Sequence, residues 1–228
     1  QAVLPANQTR PLTITGIRQA LARPLPGTAA QQTMAPQPRP GEQPRWTRPA
    51  NCREAAVLIL LYPPSPTDPP ADLRLVLTRR PEYDGAHSGQ ISLPGGRREG
   101  EETLETTALR ETWEEIGVPP DTVQIIGRLT PLYTPPSNFC IFPFVGYCPN
   151  PPTFQPDPYE VAEIIETPLH HLFHPDTRHE EVWFFPGYGK RRVPFFLVSG
   201  HKVWGATAMI LAEFITALAA DPDSARPG

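Results

Sequence analysis

Three glutamates, Glu111, Glu114 and Glu115, stand at positions i, i+3 and i+4. On a helix this spacing puts them on one face, within about 100° of arc. Like charges at i, i+4 destabilise a helix by roughly 0.2–0.5 kcal/mol per pair, a cost that a cation removes. Hard divalent cations prefer oxygen ligands, and Mg²⁺ commonly uses a few carboxylates together with substrate phosphates and waters. Just ahead, Pro94-Gly95-Gly96 reads as a tight turn between a strand and the helix. Glycine lets the backbone approach a ligand closely, so the Gly95 carbonyl is a candidate further oxygen. Arg110 adjoins Glu111 and is suited to fix its carboxylate by a charge-assisted hydrogen bond. Such a set suits phosphoryl-type transfer, which needs positioning and charge neutralisation more than covalent chemistry.

A Glu-rich helical stretch by itself is usually a solvated face. The wider pattern is more specific. It runs Gly96, five residues, Glu102, seven residues, Arg110-Glu111, two residues, Glu114-Glu115, one residue, Gly117-Val118. This segment resembles the signature box of the Nudix hydrolases, which cleave nucleoside diphosphates linked to another moiety. One position departs, with Thr112 where an aliphatic residue is usual. The resemblance implies a bound divalent cation, Mg²⁺ or alternatively Mn²⁺, and attack by an oriented water on one phosphorus of a pyrophosphate. It implies Glu111, Glu114, Glu115 and the Gly95 carbonyl as ligands. The expected catalytic set is the three glutamates with Arg110 and Glu160, and either Glu111 or Glu115 is the expected proton acceptor.

The resemblance extends over roughly residues 53–218. Val76-Leu77-Thr78-Arg79-Arg80, His87-Ser88-Gly89-Gln90, Leu132-Tyr133-Thr134-Pro135-Pro136 and Trp204-Gly205-Ala206 look like the coenzyme A pyrophosphatase branch. This chain departs from that branch at Pro81, at Leu93, and at Gly85, where an arginine is common. The implied reaction takes coenzyme A or acyl-CoA to 3′,5′-ADP and 4′-phosphopantetheine, with Arg79, Arg80, His87 and Gln90 as substrate contacts. The alternatives are ADP-ribose, a dinucleotide or a nucleoside triphosphate as substrate, or a nucleotide-sensing domain without turnover. Retention of Arg110 and all three helical glutamates counts against a sensor.

Several elements must position these residues. Leu104–Ile116 reads as the carrying helix, with Thr103 as N-cap and Gly117 with Pro119 as its stop. Ala55–Tyr62 is a continuous apolar run, as for a strand buried on both faces. Leu73–Thr78, Gln90–Leu93, Val123–Tyr133, Phe139–Cys148 and Val161–Thr167 read as further strands. A hairpin is expected around Gly187-Tyr188-Gly189, and Ala206–Ala219 as a closing helix. The expected fold is a Nudix-like α/β/α sandwich with a mixed, mostly antiparallel sheet. Residues 1–52 read as a proline-rich arm with a short helix near Thr13–Arg23 and an extended or poorly ordered stretch over 24–50. It could wrap around the domain or a second subunit. Residues 53–220 are expected to form the hydrolase domain and 221–228 a disordered tail. Tyr133, Phe139 and Trp204 are read as core.

The chain has 228 residues with a formal net charge of -4, which gives no basic excess of the kind nucleic-acid binders carry. The expected partner is a small nucleotide substrate, with no nucleic acid and no membrane, and a homodimer is conceivable through the arm. Proline, at 33 residues, clusters in tails and loops. Three cysteines without paired spacing argue against a disulfide framework. No apolar run is long enough to span a membrane, and the N-terminal residues are not expected to be a signal peptide, so cytoplasm is the default.

Overall fold

A computed structural model describes residues 12–37, 48–66, 72–82 and 89–220. The expected tail over 221–228 and the candidate substrate contact His87 lie outside these residues.

The apolar run becomes β1 (Arg53–Tyr62). It pairs with β2 (Arg74–Arg79) and β4 (Gly95–Arg97), both antiparallel, while β3 (Ile91–Ser92) joins β2. The carrying helix, α3 (Leu104–Ile116), follows the two earlier helices α1 (Ile14–Leu21) and α2 (Gly27–Gln32). The stretch read as one strand over Val123–Tyr133 divides into β5 (Gln124–Arg128) and β6 (Leu132–Thr134), both antiparallel to β7 (Phe139–Tyr147). β7 runs parallel to β1, and β8 (Glu163–Pro168) runs antiparallel to β2. A second, antiparallel sheet contains β9 (Arg178–Phe185), β10 (Gly189–Val198) and β11 (His201–Trp204). The chain then enters α4 (Gly205–Ala219). The main sheet is thus mixed and mostly antiparallel.

Alternation along β1 makes the layers. Ala56, Leu58, Leu60 and Tyr62 face a core shared with Ala108 and Ile116 of α3. Ile59 and Leu61 face the opposite core, shared with α1 and α4 through Ile17, Leu21, Ile210 and Phe214. A strand buried on both faces reads as a continuous apolar run for this reason. The result is an α/β/α sandwich.

Three readings require correction. The N-terminal arm is not extended throughout. Residues Gly27–Gln32 form α2, and Met34 and Ala35 join the core under α4. Gln31 Nε2 donates 2.8 Å to buried Glu213 of α4, and Glu213 also accepts from the Thr130 hydroxyl at 2.6 Å. A buried carboxylate demands such partners, and the arm supplies one. The arm's apolar side chains therefore go into this chain's own core. Second, Cys52 and Cys140 form a disulfide, with Cα atoms 5.7 Å apart. Parallel pairing aligns Arg53 with Phe139 and Glu54 with Cys140, which brings together cysteines 88 positions apart in sequence. Cys148 remains a free, buried thiol. Third, Tyr133, Phe139 and Trp204 are half-buried and not core. Trp204 packs edge-on to Trp183 at 5.2 Å in an aromatic cluster on the second sheet.

Candidate active site

α3 begins and ends on the residues expected. The Thr103 hydroxyl accepts from the Thr106 amide at 3.1 Å, and Gly117 closes the helix at φ 75° with its N–H on the Trp113 carbonyl. Its inner face is seated through Ala108, Thr112 and Ile116. Thr112, the departure from the family pattern, is wholly buried, and its hydroxyl donates 2.7 Å to the Ala108 carbonyl one turn back. The polar atom is satisfied within the helix, so the substitution leaves no orphaned donor.

With that face fixed, the three glutamates meet different surroundings. Glu115 is only 4% exposed and accepts from the Gly95 amide at 3.1 Å. Burial pushes its carboxyl up to about 8, against the Gly95 hydrogen bond and the charge of Arg80, while Glu160 and Glu111 add repulsion. Glu111 is also raised, again chiefly by burial, with Arg110 opposing and Glu114 and Glu160 reinforcing. Glu114 is half exposed and bonds Arg110 at 2.8 Å.

Arg110 organises this face. It donates to Glu102 at 2.9 and 3.1 Å, to Glu111 at 3.0 Å, to Glu114 at 2.8 Å and to the Arg97 carbonyl at 3.0 Å. Two bonds to one carboxylate are the strong, geometrically specific form of this interaction. They hold Glu102 down to about 2 and raise Arg110 further above its usual range. Arg98 extends the chain of contacts, donating to Glu54 at 2.7 Å and to the Glu102 carbonyl at 2.6 Å.

The two glycines ahead of the helix differ from the tight turn expected. They lie on β4, paired with Val57 and Ala56. Gly95 adopts φ 147°, and a Cβ there would lie 2.6 Å from the Val57 Cα. A Cβ on Gly96 would lie 2.7 Å from Glu111 Oε1. The close backbone approach is thus to a neighbouring strand and to a carboxylate of the site.

Glu160 arrives from the loop before β8. That loop is tied to the end of α3 by Gln155 N–H to the Ile116 carbonyl and Asp157 N–H to the Glu115 carbonyl, each 2.9 Å. The tie brings an exposed carboxylate close enough for its charge to raise both Glu111 and Glu115. Arg80 is near enough to Glu115 to oppose that rise. Arg79 points its charge elsewhere, pairing with Glu163 at 2.8 Å and Glu82 at 3.9 Å. The Gln90 carbonyl accepts from the Arg80 amide at 3.0 Å. Of the other histidines, His170 and His174 pair singly with Asp72 and Asp176 in exposed positions.

Among the described residues, no three His, Cys, Asp or Glu side chains converge as they stand on a metal position. Glu111 and Glu115 are gathered beside β4, while Glu114 is turned onto Arg110. The donor set nevertheless fits a hard divalent cation. Burial of Glu115 and partial burial of Glu111 hold both carboxyls above their usual range, a cost that a bound cation would offset, with a third carboxylate at hand in Glu160. Sequence reading missed Glu54, Arg97 and Arg98 as neighbours of this face. The Arg97-Arg98 doublet inside the box was the available signal.

The NUDIX domain model matches residues 53–187. Nudix hydrolase NudL of Yersinia enterocolitica is 35% identical over 177 residues, 77% of this chain and 84% of that protein. NudL of Pectobacterium atrosepticum is 36% identical over 163 residues, 71% and 80% respectively. Among solved structures, the Nudix hydrolase RenU of M. Smegmatis aligns at 20% identity, covering 58% of this chain and 87% of its own, with a TM-score of 0.45. Domain match and relatives together place the carboxylate helix and its glycine strand in a known lineage: the chain belongs to the Nudix hydrolases and is a pyrophosphohydrolase.

Proposed function

We propose that this enzyme hydrolyses the pyrophosphate of coenzyme A or its acyl derivatives, giving 3′,5′-ADP and 4′-phosphopantetheine, with Mg²⁺ as the ion. The observation that carries the hydrolytic part is the pair of carboxylates, half-buried Glu111 and buried Glu115, seated beside Gly95 and Gly96. Bound Mg²⁺, or Mn²⁺, would polarise phosphoryl oxygens and lower the pKa of a water. Glu111, Glu114 and Glu115, with the Gly95 carbonyl, would hold it once Glu114 leaves Arg110. Arg110 keeps Glu111 oriented. Glu111, Glu115 and Glu160 are candidates to accept the proton of the attacking water. Arg80, whose charge falls on the site, is the better-placed substrate contact; Arg79 is occupied by Glu163. The coenzyme A part rests on the residues before the box and around Leu132–Phe139 that look like that branch.

Among the described residues no helix is long and apolar enough to cross a membrane. Cytoplasmic residence sets a condition on the disulfide, since the cytosol keeps most thiols reduced; there Cys52 and Cys140 would be thiols.

The test is a panel of coenzyme A, acetyl-CoA, ADP-ribose, NADH, a diadenosine polyphosphate and a nucleoside triphosphate, with Mg²⁺ and with EDTA. Metal-dependent release of 3′,5′-ADP establishes the reading. Cleavage confined to the other substrates keeps the chemistry and replaces the substrate.

A further inference from the structure

A cavity of about 540 Å³ opens where the start of β1 meets the loop after β4. Arg48, Cys52, Arg53, Glu54, Arg97 and Arg98 are among its lining residues. Four of these residues are arginines and one is a glutamate, on a chain whose net charge is -4. Glu54 neutralises only Arg98, at 2.7 Å. Arg53 donates to the Ser137 carbonyl at 2.7 Å and lies over the Phe139 ring at 4.2 Å, and Arg48 lies over Phe142 at 5.4 Å. Rings and a carbonyl steady these side chains without cancelling their charge. Among the described residues Arg48, Arg53 and Arg97 have no carboxylate partner.

The cavity is preformed and adjoins the site. The Arg53 N–H to Asn138 carbonyl bond at 2.9 Å holds the Arg48–Arg53 segment against the sheet, and the Cys52 N–H to Pro49 carbonyl contact at 3.3 Å closes the turn before it. Arg97 follows Gly96 directly, and its carbonyl accepts from Arg110, which also holds Glu111. Guanidinium groups match phosphate oxygens in geometry as well as charge. Meanwhile Arg79, expected as a substrate contact, is engaged by Glu163, Arg80 directs its charge to Glu115 at the carboxylate site, and position 85, where an arginine is common in the branch, is a glycine.

We propose that this arginine-lined cavity binds a phosphate monoester that the substrate carries in addition to the pyrophosphate being cut. The inference rests on the coenzyme A reading, whose nucleotide half carries such a group on the ribose. Arg48 and Arg97 make the contact, with Arg53 adding positive potential.

The test is calorimetric titration of the full chain, in EDTA, with 3′,5′-ADP, 5′-AMP and inorganic phosphate, for wild type and an Arg48→Ala/Arg97→Ala double variant. The expected result is a wild-type preference for 3′,5′-ADP over 5′-AMP of at least about tenfold, reduced below about threefold in the variant, with 5′-AMP affinity unchanged within twofold. Equal affinity for the two nucleotides in wild type, or a preference that survives substitution, overturns the proposal. So does phosphate binding that the variant loses without any nucleotide preference, which would mark a site for free anions. The outcome is separable from the substrate reading. Metal-dependent coenzyme A cleavage without the preference discards the cavity alone, and the preference without such cleavage discards the substrate alone.

Discussion

The Glu111 carboxylate rests directly against the Gly96 backbone, so that a Cβ on Gly96 would stand 2.7 Å from Oε1 and 2.5 Å from Cδ. Glu111 cannot keep its place if residue 96 has a side chain. Arg110 grips the same carboxylate from the other side at 3.0 Å, so displacement also disturbs that bond. Gly96→Ala is therefore expected to cut kcat by about 10²-fold, the scale of a misplacement near 1 Å, with little loss of stability. Steady-state kinetics and thermal unfolding of the variant check this; wild-type kcat would show that Glu111 need not stand there.

Arg110→Ala removes the hub of Glu102, Glu111 and Glu114. The side chain is 20% exposed, so the ties are partly shielded from solvent. Breaking them is expected to cost roughly 2–3 kcal/mol, below the range for wholly buried pairs, and to lower kcat as well. Arg110→Lys should recover less than half of either loss, because an ammonium lacks the fork that spans Glu102. Denaturant melts and kinetics on both variants decide it.

Glu115 links stability to pH in the metal-free protein. Its ordinary value is 4.5 and the fold raises it to about 8, so the folded state retains a proton that the unfolded chain releases between those values. Its contribution is most favourable below 4.5 and is lost as pH rises to about 8. The expected outcome is a Tm in EDTA that drops by several degrees between pH 5 and 8.5, given about 2–4 °C per kcal/mol for a domain of this size. Glu115→Gln should flatten that slope. Millimolar Mg²⁺ should raise Tm more at pH 8.5 than at pH 6, because the proton competes for the same oxygens. A slope unchanged in Glu115→Gln would contradict the assignment.

Cys140→Ser opens a covalent link between β1 and β7 across 88 positions. A closed loop of that length is expected to contribute about 2–4 kcal/mol. The variant, or wild type in reductant, should melt correspondingly earlier, and two free thiols should become titratable in denaturant in addition to Cys148 in the reduced wild type.

The carboxylate helix was legible because its signals are local. Thr103, the glutamate spacing and Gly117 lie within one element, and the apolar run of β1 declares burial on both faces. What escaped the sequence depends on pairing across the chain. Cys52 meets Cys140 only because β1 and β7 are parallel neighbours, and no spacing rule encodes that register. Gln31 becomes buried only because α4 offers Glu213, so a proline-rich stretch read as an arm enters the core. The glycine pair was read as a turn toward a ligand, but antiparallel pairing with Ala56 and Val57 makes it a strand. Arg48, Arg53, Arg97 and Arg98 share a cavity only once β1 and the loop after β4 are side by side.

The most direct test is coenzyme A hydrolysis followed by chromatography, comparing wild type with Glu115→Gln, each in Mg²⁺ and in EDTA. The account expects wild type to release 3′,5′-ADP only with the metal, and the variant to lose at least about 10²-fold in kcat while melting as a folded protein. Turnover that persists in EDTA, or a Glu115→Gln enzyme as active as wild type, would contradict it.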